Sequence, residues 1–215
     1  MAEQAGPPAG GRTALPRLYP VSDRGLSGGL THVEIARRVA AGGATLLQLR
    51  EKSLPDRLFL DEIRACVALG RLIVIVNDRP DLALAGGAAG VHLGDGDLPP
   101  EEARRLLGPG AIIGLSTHSV AGAIAGAARG VDYVALGPVF ATGTKRTGLP
   151  SLGVVEIQRA ARGLAVPLVA IGGITLERAP ELWRAGAASV ASISDIMAAG
   201  SIEDRVRAWI RRGAA

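Results

Sequence analysis

Short apolar runs alternate eight times with longer amphipathic segments along this chain, the pattern of repeated β-α units around a parallel sheet. The runs predict strands over Leu18–Asp23, Thr45–Glu51, Leu72–Asp78, Gly90–Gly94, Ile112–Thr117, Tyr133–Val139, Pro167–Gly173 and Ser189–Asp195. Helical periodicity follows each one. It is clearest in the last segment, where Ile202, Val206, Trp209 and Ile210 share a face that Glu203, Asp204, Arg207 and Arg211 avoid. Leu72–Val76 and Leu168–Ile171 are apolar at every position, as strands covered by helices outside and by packed side chains inside must be. An antiparallel sandwich would alternate more strictly. Eight units in 215 residues predict an α/β fold, a (β/α)8 TIM barrel, with a doubly wound open sheet as the competing arrangement.

The polar residues favour the barrel. Gln48, Arg50 and Lys52 close the second run, Asn77 and Asp78 the third, His92 and Gly94 the fourth, Ser116 with His118 the fifth. Pro138 to Lys145 follows the sixth, Gly172-Gly173 the seventh and Ser192 to Ser194 the eighth. In a barrel these C-terminal strand ends converge on one mouth, where the active sites of this fold lie. In an open sheet they would be strung along an edge.

Length and composition add limits. The chain suits one core, a barrel domain over 17–215, and residues 1–16, rich in Gly, Ala and Pro, read as a disordered tail without the apolar segment of a signal peptide. Hydrophobic residues make up 48% and aromatics 3%, which predicts an aliphatic core. A formal net charge of +4 fits small anionic substrates. The charge forms no basic stripe interleaved with aromatics, which argues against nucleic acid, and no stretch reaches membrane-spanning length without charges or glycine. The lone Cys66 reads as a buried thiol in a reducing compartment, so a cytoplasmic protein is expected. A homo-oligomer is compatible with the sequence.

Candidate chemistry lies in the loops. Gln48, Arg50 and Lys52 share one parity, opposite to Leu47 and Leu49, so they face the mouth if the leucines pack under helices. Two cations and an amide together call for an anion or for an ion pair to Glu51 or a neighbour. Asp78 and Asp97 sit on adjacent loops. They either hold one Mg2+, which takes one or two carboxylates and fills its shell with water and phosphate oxygens, or serve as a helix N-cap and a turn residue. Gly137 to Lys145 combines glycine, hydroxyls and one ammonium as an anion loop would, but Lys145 follows Thr144, which departs from a Walker loop. Gly172-Gly173 and Ile193-Ser194 occupy the place where many barrels bind phosphate with backbone N–H groups.

Taken together, Gln48 to Lys52, Asn77-Asp78-Arg79, Gly90 to Asp97, Ser116-Thr117-His118, Gly137 to Phe140 with Thr142 to Lys145, and Ile171 to Ile174 resemble the thiamine-phosphate synthase family in order and spacing, from Leu18 onward. The resemblance implies that Gln48, Arg50, Lys52, Asn77 and Lys145 hold a hydroxymethylpyrimidine pyrophosphate, that Asp78 and Asp97 bind Mg2+, and that His92 forms the floor. It implies that Ser116, Thr142 and Thr144 line a shared site, and that Gly173, Ile193 and Ser194 hold a thiazole phosphate. Catalytic roles fall to Arg50, Lys52, Lys145 and Ser116. The C–O bond to pyrophosphate would break first and the thiazole nitrogen would attack the resulting methylene cation. Asp95, Ala141 and Asp195 depart from the family's usual Gln, Pro and small residue. The related thiazole tautomerase, an isomerase with a histidine placed like His118, is the rival, and a non-catalytic phosphate-binding paralogue is a third reading.

Overall fold

The computed structural model describes residues 15–143 and 148–214; most of the expected N-terminal tail lies outside them. Its strands are β1 (Leu18–Pro20), β2 (Leu46–Leu49), β3 (Ile73–Asn77), β4 (Gly90–Leu93), β5 (Ile112–Thr117), β6 (Tyr133–Leu136), β7 (Leu168–Ile171) and β8 (Ser189–Ser192). The helices are α1 (His32–Ala41), α2 (Asp56–Ala68), α3 (Pro80–Gly86), α4 (Pro100–Leu107), α5 (Val120–Ala127), α6 (Val154–Gly163), α7 (Ala179–Arg184), α8 (Ser194–Met197) and α9 (Ile202–Ala214).

All strand neighbours pair in parallel, in the order β1-β8-β7-β6-β5-β4-β3-β2. The remaining seam is closed by a parallel bridge between Val21 and Gln48, where Ser22 N–H donates to the Gln48 carbonyl at 2.9 Å. The eight strands therefore form a closed barrel rather than an open sheet. Most ladders end earlier than the sequence predicted: β2 stops at Leu49, β3 at Asn77, β7 at Ile171 and β8 at Ser192. The residues left over, among them Arg50, Asp78, Gly173 and Ser194, bend out of the ladder to build the mouth.

Parity along the strands separates two layers. Tyr19, Leu46, Ile75, Tyr133, Ala135, Val169 and Ala191 fill the barrel interior. Leu47, Leu49, Val74, Val76, Val91, Leu93 and Val190 pack outward under the helices. Helix α1 starts with a capping box in which Thr31 and Glu34 exchange hydrogen bonds. Helix α9 seats Ile202, Val206 and Trp209 fully within the outer layer, each burial contributing roughly 1.5–3 kcal/mol. Cys66 is buried in α2, and burial pushes its thiol up to about 12. Among the described residues no helix is long and apolar enough to cross a membrane.

Candidate active site

One cleft opens at the C-terminal ends of the strands and encloses about 1010 Å³ of free space, its open mouth included. Gln48, Arg50, Lys52, Asn77 and Asp78 line it from the β2 and β3 ends, His92 and Ser116 from β4 and β5, Thr142 from the loop after β6, and Gly173, Ile193 and Ser194 from the β7 and β8 ends. Asp97 does not line the cleft but hydrogen-bonds to Asp78. Thr144 and Lys145 lie outside the described residues.

Strand parity aims Gln48 inward, while Arg50 and Lys52 come from the turn that follows β2. Both cations have acidic partners, though not the Glu51 side chain. Arg50 Nη1 donates to Asp23 Oδ2 at 3.0 Å, and Lys52 Nζ donates to Asp78 Oδ2. The Glu51 carboxylate instead folds under the turn. It accepts from the backbone N–H groups of Lys52, Ser53 and Leu54 and from Ser53 Oγ. Burial alone would raise this carboxyl, but those hydrogen bonds, led by the Ser53 N–H, bring it down to about 2. Behind it, buried His32 places Nε2 3.2 Å from Glu51 Oε2 and Nδ1 2.9 Å from Ser22 Oγ. Ser22 Oγ in turn accepts the Arg50 N–H at 3.0 Å. This serine–histidine–glutamate row resembles a hydrolytic triad in order only, because Ser22 is fully buried and its hydroxyl is committed to fixing the Arg50 backbone.

Asp78 sits at φ 64°, the left-handed region that few residues other than glycine adopt. Such backbone persists where its surroundings enforce it, often at functional sites. Here Asp78 N–H donates to the His92 carbonyl at 2.8 Å, and the turn brings the Asp78 carboxylate against that of Asp97. The N-cap of α3 is therefore Arg79, without a side-chain cap bond, and the N-cap alternative for Asp78 fails. Asp97 does shape a turn, since its Oδ2 accepts the Gly94 N–H at 2.7 Å. Burial raises the Asp97 carboxyl, and the adjoining Asp78 carboxylate adds to this against the pull of the Gly94 N–H. Burial would raise Asp78 too, but hydrogen bonds from Lys52 and Asp97 outweigh it and hold that carboxyl low. Two touching carboxylates need a proton or cation between them, and their hard oxygen donors suit Mg2+.

The floor of the cleft is a buried polar row. Gln48 Nε2 donates to Tyr19 Oη at 3.2 Å, and the two tyrosine hydroxyls lie 2.6 Å apart. Tyr133 Oη is 3.0 Å from His92 Nδ1, and His92 Nε2 is 2.8 Å from Ser116 Oγ. His118 stands higher, with Nδ1 2.7 Å from the Gly137 carbonyl and Nε2 4.0 Å from exposed Asp95.

At the other end Gly173, at φ +64°, approaches the loop after β6 so closely that a Cβ would lie 2.4 Å from the Ala141 carbonyl oxygen. Arg178 stacks 4.5 Å over Phe140 and donates to the Gly173 carbonyl at 3.0 Å, tying the two loops together. Asp195 lies in the first turn of α8, whose N-cap is Ile193. Its carboxylate is taken up by Arg205 Nε at 2.9 Å and Trp209 Nε1 at 2.7 Å, so its charge is answered away from the Ser194 backbone.

Asp23, Tyr19 and Tyr133 are site components that the sequence reading missed. The tyrosines had a signal: they are the chain's two tyrosines, and both occupy inward strand positions. Asp23 had none, because its pairing with Arg50 depends on how β1 closes against β2.

The family model for thiamine monophosphate synthase matches residues 18–196. The thiamine-phosphate synthase of Methanoculleus marisnigri is 46% identical over 92% of this chain and 95% of its own length. That of Anaeromyxobacter dehalogenans is 44% identical over 91% and 86%. Among solved structures, the thiamine phosphate pyrophosphorylase of Pyrococcus furiosus superposes with a TM-score of 0.86 at 32% identity, covering 94% of this chain and 97% of that one.

Proposed function

The chain belongs to the thiamine monophosphate synthase family, and from that premise we propose that its cleft joins 4-amino-2-methyl-5-hydroxymethylpyrimidine pyrophosphate to 4-methyl-5-(2-hydroxyethyl)thiazole phosphate, or its carboxylated form, yielding thiamine phosphate and pyrophosphate. The observation that carries this reading is the division of one cleft into two unlike ends. Arg50, Lys52, Asn77 and Asp78 gather at β2 and β3. The glycine backbone of Gly172-Gly173 and the Ile193-Ser194 turn gather at β7 and β8, separated from them by β1 on one side and by β4 to β6 on the other.

In this reading the pyrophosphate lies against Arg50 and Lys52 and the pyrimidine against Gln48 and Asn77, above the His92 floor. The methylene C–O bond breaks and its electron pair leaves with the pyrophosphate. The thiazole nitrogen then donates its lone pair to the methylene carbon, closing the new C–N bond. Negative charge grows on the leaving oxygen as the bond lengthens, so cations already in place bind the transition state better than the ground state. Asp78 and Asp97 would hold Mg2+, which when bound adds positive charge to the phosphate oxygens. Ser116 and Thr142 border the reacting centre, while Gly173, Ile193 and Ser194 offer donors to the thiazole phosphate. No side chain has to act as a nucleophile. The expected setting is the cytoplasm.

The test is a coupled assay with both purified substrates, with and without Mg2+, following pyrophosphate release. Metal-dependent release supports the reading. Isomerisation of the thiazole carboxylate without pyrophosphate release overturns it in favour of the tautomerase, with His118 as the acid or base.

A further inference from the structure

The row Gln48–Tyr19–Tyr133–His92–Ser116 runs through the barrel interior from one side of the cleft floor to the other, yet its two tyrosines do not line the cleft. Tyr19 and Tyr133 are 1% and 0% exposed. Burial pushes Tyr19 up to about 12 and Tyr133 well above its ordinary range, so each phenol keeps one proton. A hydroxyl with one proton in a buried chain donates in one direction only, since a proton aimed at nothing forfeits a hydrogen bond that the interior cannot replace.

That proton count orders the whole row. The Gln48 amide donates to Tyr19, so Tyr19 donates onward to Tyr133, and Tyr133 donates to His92 Nδ1. In its neutral form His92 then carries its proton on Nε2 and donates to Ser116 Oγ, leaving the Ser116 proton to point into the cleft. We infer that Tyr19 and Tyr133 are positioning residues: they fix His92 as the Nε2–H tautomer and thereby make Ser116 a hydrogen-bond donor to a substrate acceptor. The barrel is built to admit this row. A Cβ at Gly114 would lie 2.0 Å from the Tyr133 ring, so the ring occupies space that only glycine leaves. His92 stacks on Tyr133 with centroids 5.6 Å apart and the planes 19° from parallel, which holds both its nitrogens in line.

The role of Ser116 in turnover rests on the synthase reading; the direction of the row does not. The first measurement is therefore made on the ligand-free protein. With 15N-labelled histidine, and the resonances of the three histidines assigned by substitution, neutral His92 should show a protonated Nε2 and a bare Nδ1. A protonated Nδ1 would mean that the row runs from Ser116 towards Gln48, and the inference falls. In Tyr133→Phe, checked for folding by circular dichroism, the Nε2–H preference should be lost and kcat should fall on the order of tenfold, the effect of one oriented hydrogen bond. Tyr19→Phe leaves Tyr133 able to donate to His92, so its tautomer should persist and its kcat should fall less. Ser116→Ala and Tyr133→Phe together should cost no more than the larger single change, because both interrupt one chain. Additive losses, or an unchanged tautomer in Tyr133→Phe, would overturn the positioning role. A correct tautomer in a wild type that releases no pyrophosphate would instead count against the synthase reading alone.

Discussion

Arg50 and Asp23 form a 3.0 Å ion pair across the ends of β2 and β1, each side chain 19% exposed. The guanidinium is thus oriented before any ligand arrives, with its remaining N–H donors available to an anion.

Arg50→Ala and Lys52→Ala should each lower kcat/KM for condensation by roughly 10²- to 10³-fold, the loss expected when a cation that answers developing charge is removed. Arg50→Lys should recover little, because an ammonium cannot serve Asp23 and a phosphate with the geometry of a planar fork. Calorimetric titration with thiazole phosphate should still show binding in all three variants. Normal pyrophosphate release from both alanine variants would remove the assignment.

The metal assignment is best tested at Asp78 with asparagine, which tolerates left-handed backbone and removes only the charge. Asp78→Asn and Asp97→Ala should each reduce turnover on the order of 10²-fold at low Mg2+, with partial recovery as Mg2+ is raised. Full activity in both at low Mg2+ would rule out a shared metal.

Gly173→Val places a branched side chain at φ +64° and against the Ala141 carbonyl oxygen. It should destabilise the fold by roughly 1–3 kcal/mol and raise the KM for thiazole phosphate more than that for the pyrimidine pyrophosphate. A change confined to the pyrimidine KM would place the phosphate elsewhere.

Glu51 supplies a pH signature. Its carboxyl falls from 4.5 to about 2 in the folded chain, and the side chain is 6% exposed. The stabilisation is complete above the ordinary carboxylate range and is lost as pH falls from there towards about 2. It amounts to about 3 kcal/mol at most. Glu51→Gln should flatten the acid limb of a Tm-against-pH curve and leave the neutral-pH activity of any folded protein reduced through the disturbed Arg50–Lys52 turn. An acid limb as steep as that of the wild type would mean that other carboxylates dominate.

The strand count, the barrel and the mouth were legible because hydrophobic parity and the position of polar strand ends are local properties. Gln48, Asn77, His92 and Ser116 could be assigned to the cleft for the same reason. What escaped depends on closure. Asp23 meets Arg50 only after β1 and β2 come together, and Tyr19 meets Tyr133 from residues 114 positions apart. Asp78 was open to two readings because its backbone conformation, which decides between cap and cleft, is imposed by its neighbour His92. The pairing of Asp195 with Arg205 and Trp209 likewise depends on how α9 packs against α8.

Cys66 is the chain's one cysteine, and its burial with a thiol near 12 makes the wild type silent towards thiol-directed reagents at neutral pH. A cysteine introduced at an exposed position such as Val155, 66% exposed on α6, would therefore be the sole reactive handle. A fluorophore or spin label placed there or beside the mouth would report from a single known site, without any need to strip the native sequence of competing thiols.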